Sequence, residues 1–356
     1  MNTLAGLVLL VFFALSNRAT CSSETQSETQ DPLSVPKHVQ TQFEAFLQRY
    51  NRKYSSLREK QRRLHVFSQN LEKYEEMNRA DRGTAVYGVD QFSDMSVEEF
   101  QANIQSLTPH THTMTRTSKT YDGPELKKKI PKSHDWRTKN AVTEVKSAWN
   151  CHNGGWAFAT VGNIEGLYAI KNQKLINFSE QQLLDCDTVS DRCRRGKSTD
   201  GVNYLIKAGG LQGADSYPYS VYQRTKDCTF NKTAVIVKIK SLNVLPKDEK
   251  KIVRYLYNHG PIAATLDKKG LFGYQRGIAR PPDHLCSKKA ENSTYGVTIV
   301  GYGEEVTEEN GKKIHLPYWI IKNSEGTYFG EKGYYYLYRG DGSCGINHFA
   351  SSAVLA

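Results

Sequence analysis

The sequence predicts an α+β protein, helical first and strand-rich later, and three patterns carry that expectation. Between Gln42 and about Arg79 apolar residues recur at spacings of three and four, with Leu64, Phe67, Leu71 and Tyr74 forming one stripe. After Ile130 a second helical stretch opens at Gly154-Gly155 and places Ala157, Val161, Ile164 and Tyr168 on one face. Beyond about Ser241 the signals change to strands. Val297, Ile299 and Gly301 alternate with Thr298 and Val300, Tyr318 to Lys322 is β-rich, and Tyr334 to Tyr338 is almost all aromatic.

Each remaining segment has its own reading. The apolar run from Leu4 to Leu15 is too short to span a bilayer and reads as a signal peptide within residues 1–21. Residues 22–36 are too polar to fold alone and form a flexible leader. In the first helical stretch Glu59 and Arg63 add an i,i+4 ion pair. Residues 105–129 are polar and Thr-rich and end in Glu125-Leu126-Lys127-Lys128-Lys129, a linker with a protease-accessible basic end.

Composition narrows the class of protein. With 356 residues, 38% hydrophobic and 24% charged, the chain can bury a core in more than one unit. Of seven cysteines, six remain once Cys21 is set aside with the signal segment, and no Cys-x-x-Cys pair exists, which favours disulfides over a metal site. Sequons at Asn177, Asn231 and Asn292 agree with export. The net charge is +11, with 31 Lys and Arg against 22 Asp and Glu from Ile130 onward. The doublets Lys250-Lys251, Lys268-Lys269, Lys288-Lys289 and Lys312-Lys313 are scattered and lack interleaved aromatics, so they read as solvated surface and not as a nucleic-acid platform.

The ordered set Glu59, Arg63, Phe67, Asn70, Tyr74 and Asn78 is similar to the interspersed ERFNIN motif in prosegments of cathepsin L-like papain relatives, with Tyr74 in place of an isoleucine. Gly88-x-Asp90-x-Phe92-x-Asp94 resembles the second prosegment motif, with Asp90 in place of an asparagine. Asp135-Trp136-Arg137, Trp156-Ala157-Phe158-Ala159, Ser179 to Cys186, Ser216-Tyr217-Pro218-Tyr219, Gly301-Tyr302-Gly303 and Tyr318 to Ser324 then follow in the order of a mature papain-type enzyme. From about residue 42 to the C-terminus the chain is therefore identified as resembling the papain-like cysteine protease family, of the cathepsin L/F type. The resemblance implies a two-subdomain fold, with a helical left subdomain at about 130–240, an antiparallel β-barrel-like right subdomain at 241–356, and a helical inhibitory prosegment at 22–129. It also implies the disulfides Cys151–Cys193, Cys186–Cys228 and Cys286–Cys344.

The chemistry departs from that pattern. A papain-type site needs a cysteine thiolate at a helix N-terminus, a histidine beside it and an asparagine to orient the histidine. Gly155 stands immediately before Trp156, where the resemblance places the nucleophile, and Tyr295 stands where it places the histidine. Ala148 occupies the oxyanion-donor position, and of the catalytic set only Asn323 matches, its shielding tryptophan replaced by Glu325. Cys151 is disfavoured as a displaced nucleophile, since it lies five positions before Trp156 and the implied pairing uses it; His152 and His284 fall outside the motif. The cleft wall reads Arg195-Gly196-Lys197.

These residues lead to the expectation of a secreted, or alternatively endolysosomal, monomeric papain homologue that is not an enzyme. It would act by binding protein or peptide, with a cystatin-type inhibitor or its own prosegment as partner. Residual or unconventional peptide hydrolysis is the alternative, and a structural or storage role the third. No cofactor, metal, nucleic acid or membrane insertion is expected.

Overall fold

A computed structural model describes residues 35–102, 118–121, 130–148, 151, 153–220, 227–309 and 311–356. The apolar run, Cys21, most of the leader, His152 and the greater part of the 105–129 linker lie outside the described residues.

The stretch with helical periodicity from Gln42 to about Arg79 forms two helices: α1 (Lys37–Arg49) and α2 (Leu57–Ala80). The chain turns at Asn51, whose φ of 48° is a left-handed value that asparagine tolerates, and Ser56 Oγ then accepts the Glu59 N–H to cap α2. Periodicity concealed the break because both helices feed one cluster, in which Phe43 and Phe46 each pack 5.3 Å from Phe67. The motif residues of α2 fold the following segment against it. Asn70 Nδ2 donates to the carbonyls of Ser93 and Met95, Asn78 exchanges two hydrogen bonds with the Tyr87 backbone, and Arg63 reaches Asp94 O. Helix α3 (Val97–Ala102) closes this unit, with Phe100 buried.

Helix α4 (Gly155–Asn172) is buried along most of its length, with α5 (Glu180–Cys186) and α6 (Ser198–Ala208) packed beside it. Trp156, Ala157, Val161, Ile164, Leu183 and Leu205 share one core there. A second core joins the prosegment to the strand-rich half through Tyr74, Phe92, Phe100, Phe272, Tyr295 and Trp319.

The strand-rich half carries α7 (Glu249–His259), capped by Asp248, and most of a nine-stranded mixed sheet among the described residues. Its order runs Ser118–Thr120, Ile239–Val244, Ser351–Leu355, Ile262–Leu266, Tyr295–Glu309, Lys312–Lys322, Tyr334–Tyr338 and Ile278–Ala279, with His134–Asp135 added beside Tyr295–Glu309. The ladders are antiparallel apart from Ile278–Ala279 on Tyr334–Tyr338 and Ser118–Thr120 on Ile239–Val244. The C-terminal strand returns to the helical half, where Ala353 joins Leu242 and Val244 in the α4 core. Cys151–Cys193, Cys186–Cys228 and Cys286–Cys344 are disulfide-bonded.

Candidate functional site

Where the two cores meet, the N-terminus of α4 faces the start of strand Tyr295–Glu309. Gly155 is the first residue of α4 and is buried. A Cβ at this position would lie 2.8 Å from Gly296 O and 3.2 Å from Tyr295 Cε2, so the neighbouring strand occupies the space a side chain would need. Gly296 fits as closely from the other side, a Cβ there coming within 2.7 Å of the Trp156 backbone. The helix end and the strand are thus packed backbone to backbone.

Tyr295 is 2% exposed, and its hydroxyl lies 3.0 Å from Asn323 Oδ1 and 3.0 Å from Glu325 Oε1, with Ser324 Oγ at 3.3 Å. Asn323 Oδ1 also accepts the Ser324 N–H, while its Nδ2 is buried without a hydrogen-bond partner. Burial, then the Glu325 carboxylate, push the Tyr295 phenol well above its ordinary value, so it keeps its proton and serves as a donor. Ala148 is fully buried and contributes backbone only: its N–H donates to Ser324 O, and its carbonyl accepts from the Cys151 N–H and the Tyr219 hydroxyl.

A residue read as surface belongs to this cluster. Lys268 is 2% exposed, and its ammonium lies 3.5 Å from Glu325 Oε1. It sits over three rings, 4.6 Å from the centroid of Phe100, 4.8 Å from Tyr295 and 6.0 Å from Phe92. Burial pushes its pKa down against the pull of Glu325. The solvated reading of the Lys268-Lys269 doublet is therefore corrected for Lys268. It follows strand Ile262–Leu266, whose Leu266 pairs with Tyr295, and the prosegment covers it. Gln91 of the prosegment also donates to the Glu325 backbone carbonyl at 2.9 Å.

Behind the site lies a buried polar network. Lys146 Nζ bonds Glu165 at 2.7 Å and Glu180 at 2.6 Å, Thr143 Oγ1 donates to Glu165, and Lys322 Nζ donates to Thr143. Burial pushes Lys322 down to about 8. A small cavity is lined by Lys146, Glu165, Glu180 and Lys322 of this network and by Asn323 and Ser324 of the Tyr295 cluster.

Arg195 is exposed on a turn held by reciprocal backbone bonds with Asp191, and Lys197 precedes α6. Gly196 lies under the Trp156 indole, where a Cβ would approach to 2.3 Å. The sequon residues Asn177, Asn231 and Asn292 are exposed, and His284 is a surface residue near Glu76. Among the described residues no cluster of three or more His, Cys, Asp or Glu is placed to hold a metal, and no helix is long and apolar enough to cross a membrane.

A helical half and a sheet half meeting at a helix N-terminus, with a helical segment docked over one side, define a papain-type proprotein. Residues 130–354 match the papain family cysteine protease profile, and residues 43–100 match the cathepsin propeptide inhibitor domain (I29); the chain belongs to the papain family. It is 40% identical to cathepsin F of Drosophila melanogaster over 88% of its length, spanning half of that relative. It is 38% identical to cathepsin F of Mus musculus over 95% of its length and 70% of that protein, and 33% identical to Mus musculus cathepsin W over 91% and 89%. Among solved structures, digestive procathepsin L2 from Tenebrio molitor larval midgut superposes with a TM-score of 0.77 at 30% identity, covering 89% of this chain and all of that one. Digestive procathepsin L3 from the same source superposes at 0.74 and 31% identity, covering 90% of this chain and all of that one.

These relatives overturn the expectation that the chain is not an enzyme. They are cathepsins and digestive procathepsins, and they align along nearly the whole chain. The residues at 148, 155, 295 and 325 bear on which groups meet a substrate, while the family to which the scaffold belongs is one of peptidases.

Proposed function

We propose that this protein is an exported papain-type endopeptidase of residual, unconventional activity, in which polypeptide binding in the cleft comes first and cleavage proceeds without a thioester on position 155. The packing at Gly155 carries the reading. The α4 N-terminus and Gly296 fill the position from which a papain-type thiolate would attack, and the cysteine nearest in sequence, Cys151, is held in a disulfide.

What the site retains is suited to polarising a bound carbonyl. The start of an 18-residue helix places the positive end of its dipole here, and Asn323 Nδ2 is an unengaged donor. Such a donor stabilises negative charge on oxygen, while attack falls to water without the family's histidine, whose position Tyr295 holds, which implies slow turnover. The apolar leader sequence, the paired cysteines and the exposed sequon asparagines support export.

The test is to cleave the prosegment from the full-length protein, incubate the product with an unfolded protein substrate and map new termini by mass spectrometry. Slow cleavage that survives a thiol-alkylating inhibitor is expected. Cleavage abolished by that inhibitor would refute the reading.

A further inference from the structure

Lys268 is out of place for a lysine. Its ammonium is buried with one carboxylate at 3.5 Å, and the preceding Asp267 carboxylate is engaged elsewhere, by the N–H groups of Lys269 and Ser287. A buried cation so sparsely paired needs other stabilisation. It comes from ring faces, and two of the three rings, Phe100 and Phe92, belong to the prosegment. When the prosegment leaves, the ammonium keeps Glu325 and Tyr295 but loses its closest aromatic face.

We propose that Lys268 is a specificity-determining residue of the cleft: its ammonium forms the floor of a seat for an aromatic side chain, so the polypeptides the site receives are those that lay a ring on it. This rests on the reading that the cleft binds polypeptide. Phe100 is the resident example, held by Lys268 on one side and by the Phe272 ring, 5.2 Å away, on another. The neighbouring Glu325 carbonyl, which takes the Gln91 amide, adds an acceptor for a ligand donor beside the ring seat. The chemistry recognised is thus a π face next to a hydrogen-bond donor, and an aliphatic side chain of equal bulk would fill the space without meeting the charge. Cation–π contacts strengthen as water is excluded, and this one is fully covered.

The test uses the full-length protein nicked within Lys127–Lys129, so that the prosegment is held non-covalently. Two synthetic peptides spanning residues 86–102, one natural and one with cyclohexylalanine for Phe100, compete for the site while prosegment release is followed by size-exclusion chromatography. The natural peptide is expected to displace the prosegment at about tenfold lower concentration than the cyclohexylalanine form. In Lys268→Met the two peptides should become equivalent, and in Lys268→Arg, which keeps the cation, the difference should persist. Equal displacement by both peptides in the unsubstituted protein would overturn the role of Lys268 while leaving polypeptide binding intact. Displacement by neither would overturn both. The unsubstituted comparison decides the matter even where a variant fails to fold.

Discussion

The Tyr295 hydroxyl lies 3.0 Å from Glu325 Oε1, and this contact ties the strand that begins at Tyr295 to the segment that follows strand Lys312–Lys322. The phenol has one proton and two acceptors at equal range, Glu325 Oε1 and Asn323 Oδ1, so its orientation is fixed by a shared donor on a buried side chain. Removing the hydroxyl leaves Glu325 Oε1 to Lys268. Tyr295→Phe is expected to destabilise the protein by about 1.5–3 kcal/mol in urea denaturation, the worth of a hydrogen bond to a buried carboxylate. An unchanged midpoint would show that the phenol carries no structural hydrogen bond.

The sign of a change at Gly155 is set by packing. In an exposed helix Gly→Ala stabilises by up to about 1 kcal/mol. Here the added methyl meets the Gly296 backbone carbonyl at 2.8 Å, and backbone cannot turn aside as a side-chain end can. Gly155→Ala is expected to destabilise by about 1–3 kcal/mol. A more stable Gly155→Ala protein in the same measurement would mean that the space for a nucleophile exists.

Asp90 links prosegment docking to pH. Its carboxyl is buried and accepts from the N–H groups of Phe92 and Gly273 and from Ser93 Oγ, yet burial outweighs these bonds and pushes it from 3.8 up to about 6. A raised acid favours the docked state when protonated. Its contribution is therefore fully present below pH 3.8 and is lost as pH rises through about 6. Retention of the nicked prosegment should weaken between pH 4 and pH 7 by roughly 2 kcal/mol more in the native protein than in Asp90→Asn. A steeper loss in Asp90→Asn would reverse the assignment.

The Lys146 network holds the two halves behind the site. Lys146→Met leaves Glu165 and Glu180 facing each other in a buried space with no ammonium between them. A loss of about 3–5 kcal/mol is expected in denaturation at pH 7. Because burial and the Glu165 charge both push Glu180 up, part of that loss should be recovered on acidification, as Glu180 takes a proton. No recovery on acidification would place the defect in packing rather than charge.

Much of the fold was legible because the residues that carry it act locally. Asn70, Asn78 and Arg63 are spaced along one helix, and each bonds the segment that comes next in the chain. The strands around Tyr295 and Trp319 announced themselves by alternation and aromatic content. The break between α1 and α2 was hidden because both helices feed one aromatic cluster, so the apolar rhythm runs through it. Positions 148, 155, 295, 323 and 325 could be placed from their motifs, but their contacts could not, since the Tyr295–Glu325 bond joins residues on different segments. Lys268 was unreadable for the same reason. A Lys-Lys doublet carries no sign of burial, and the rings that cover the first lysine lie far earlier in the chain.

The most direct test treats the prosegment-free protein with an active-site-directed, thiol-alkylating peptide and measures intact mass together with the rate of peptide cleavage. The expected result is an unmodified chain and a slow rate identical with and without the reagent. One equivalent of adduct together with loss of cleavage would contradict the central claim, that this papain-family cleft handles polypeptide without a cysteine thiolate at the α4 N-terminus.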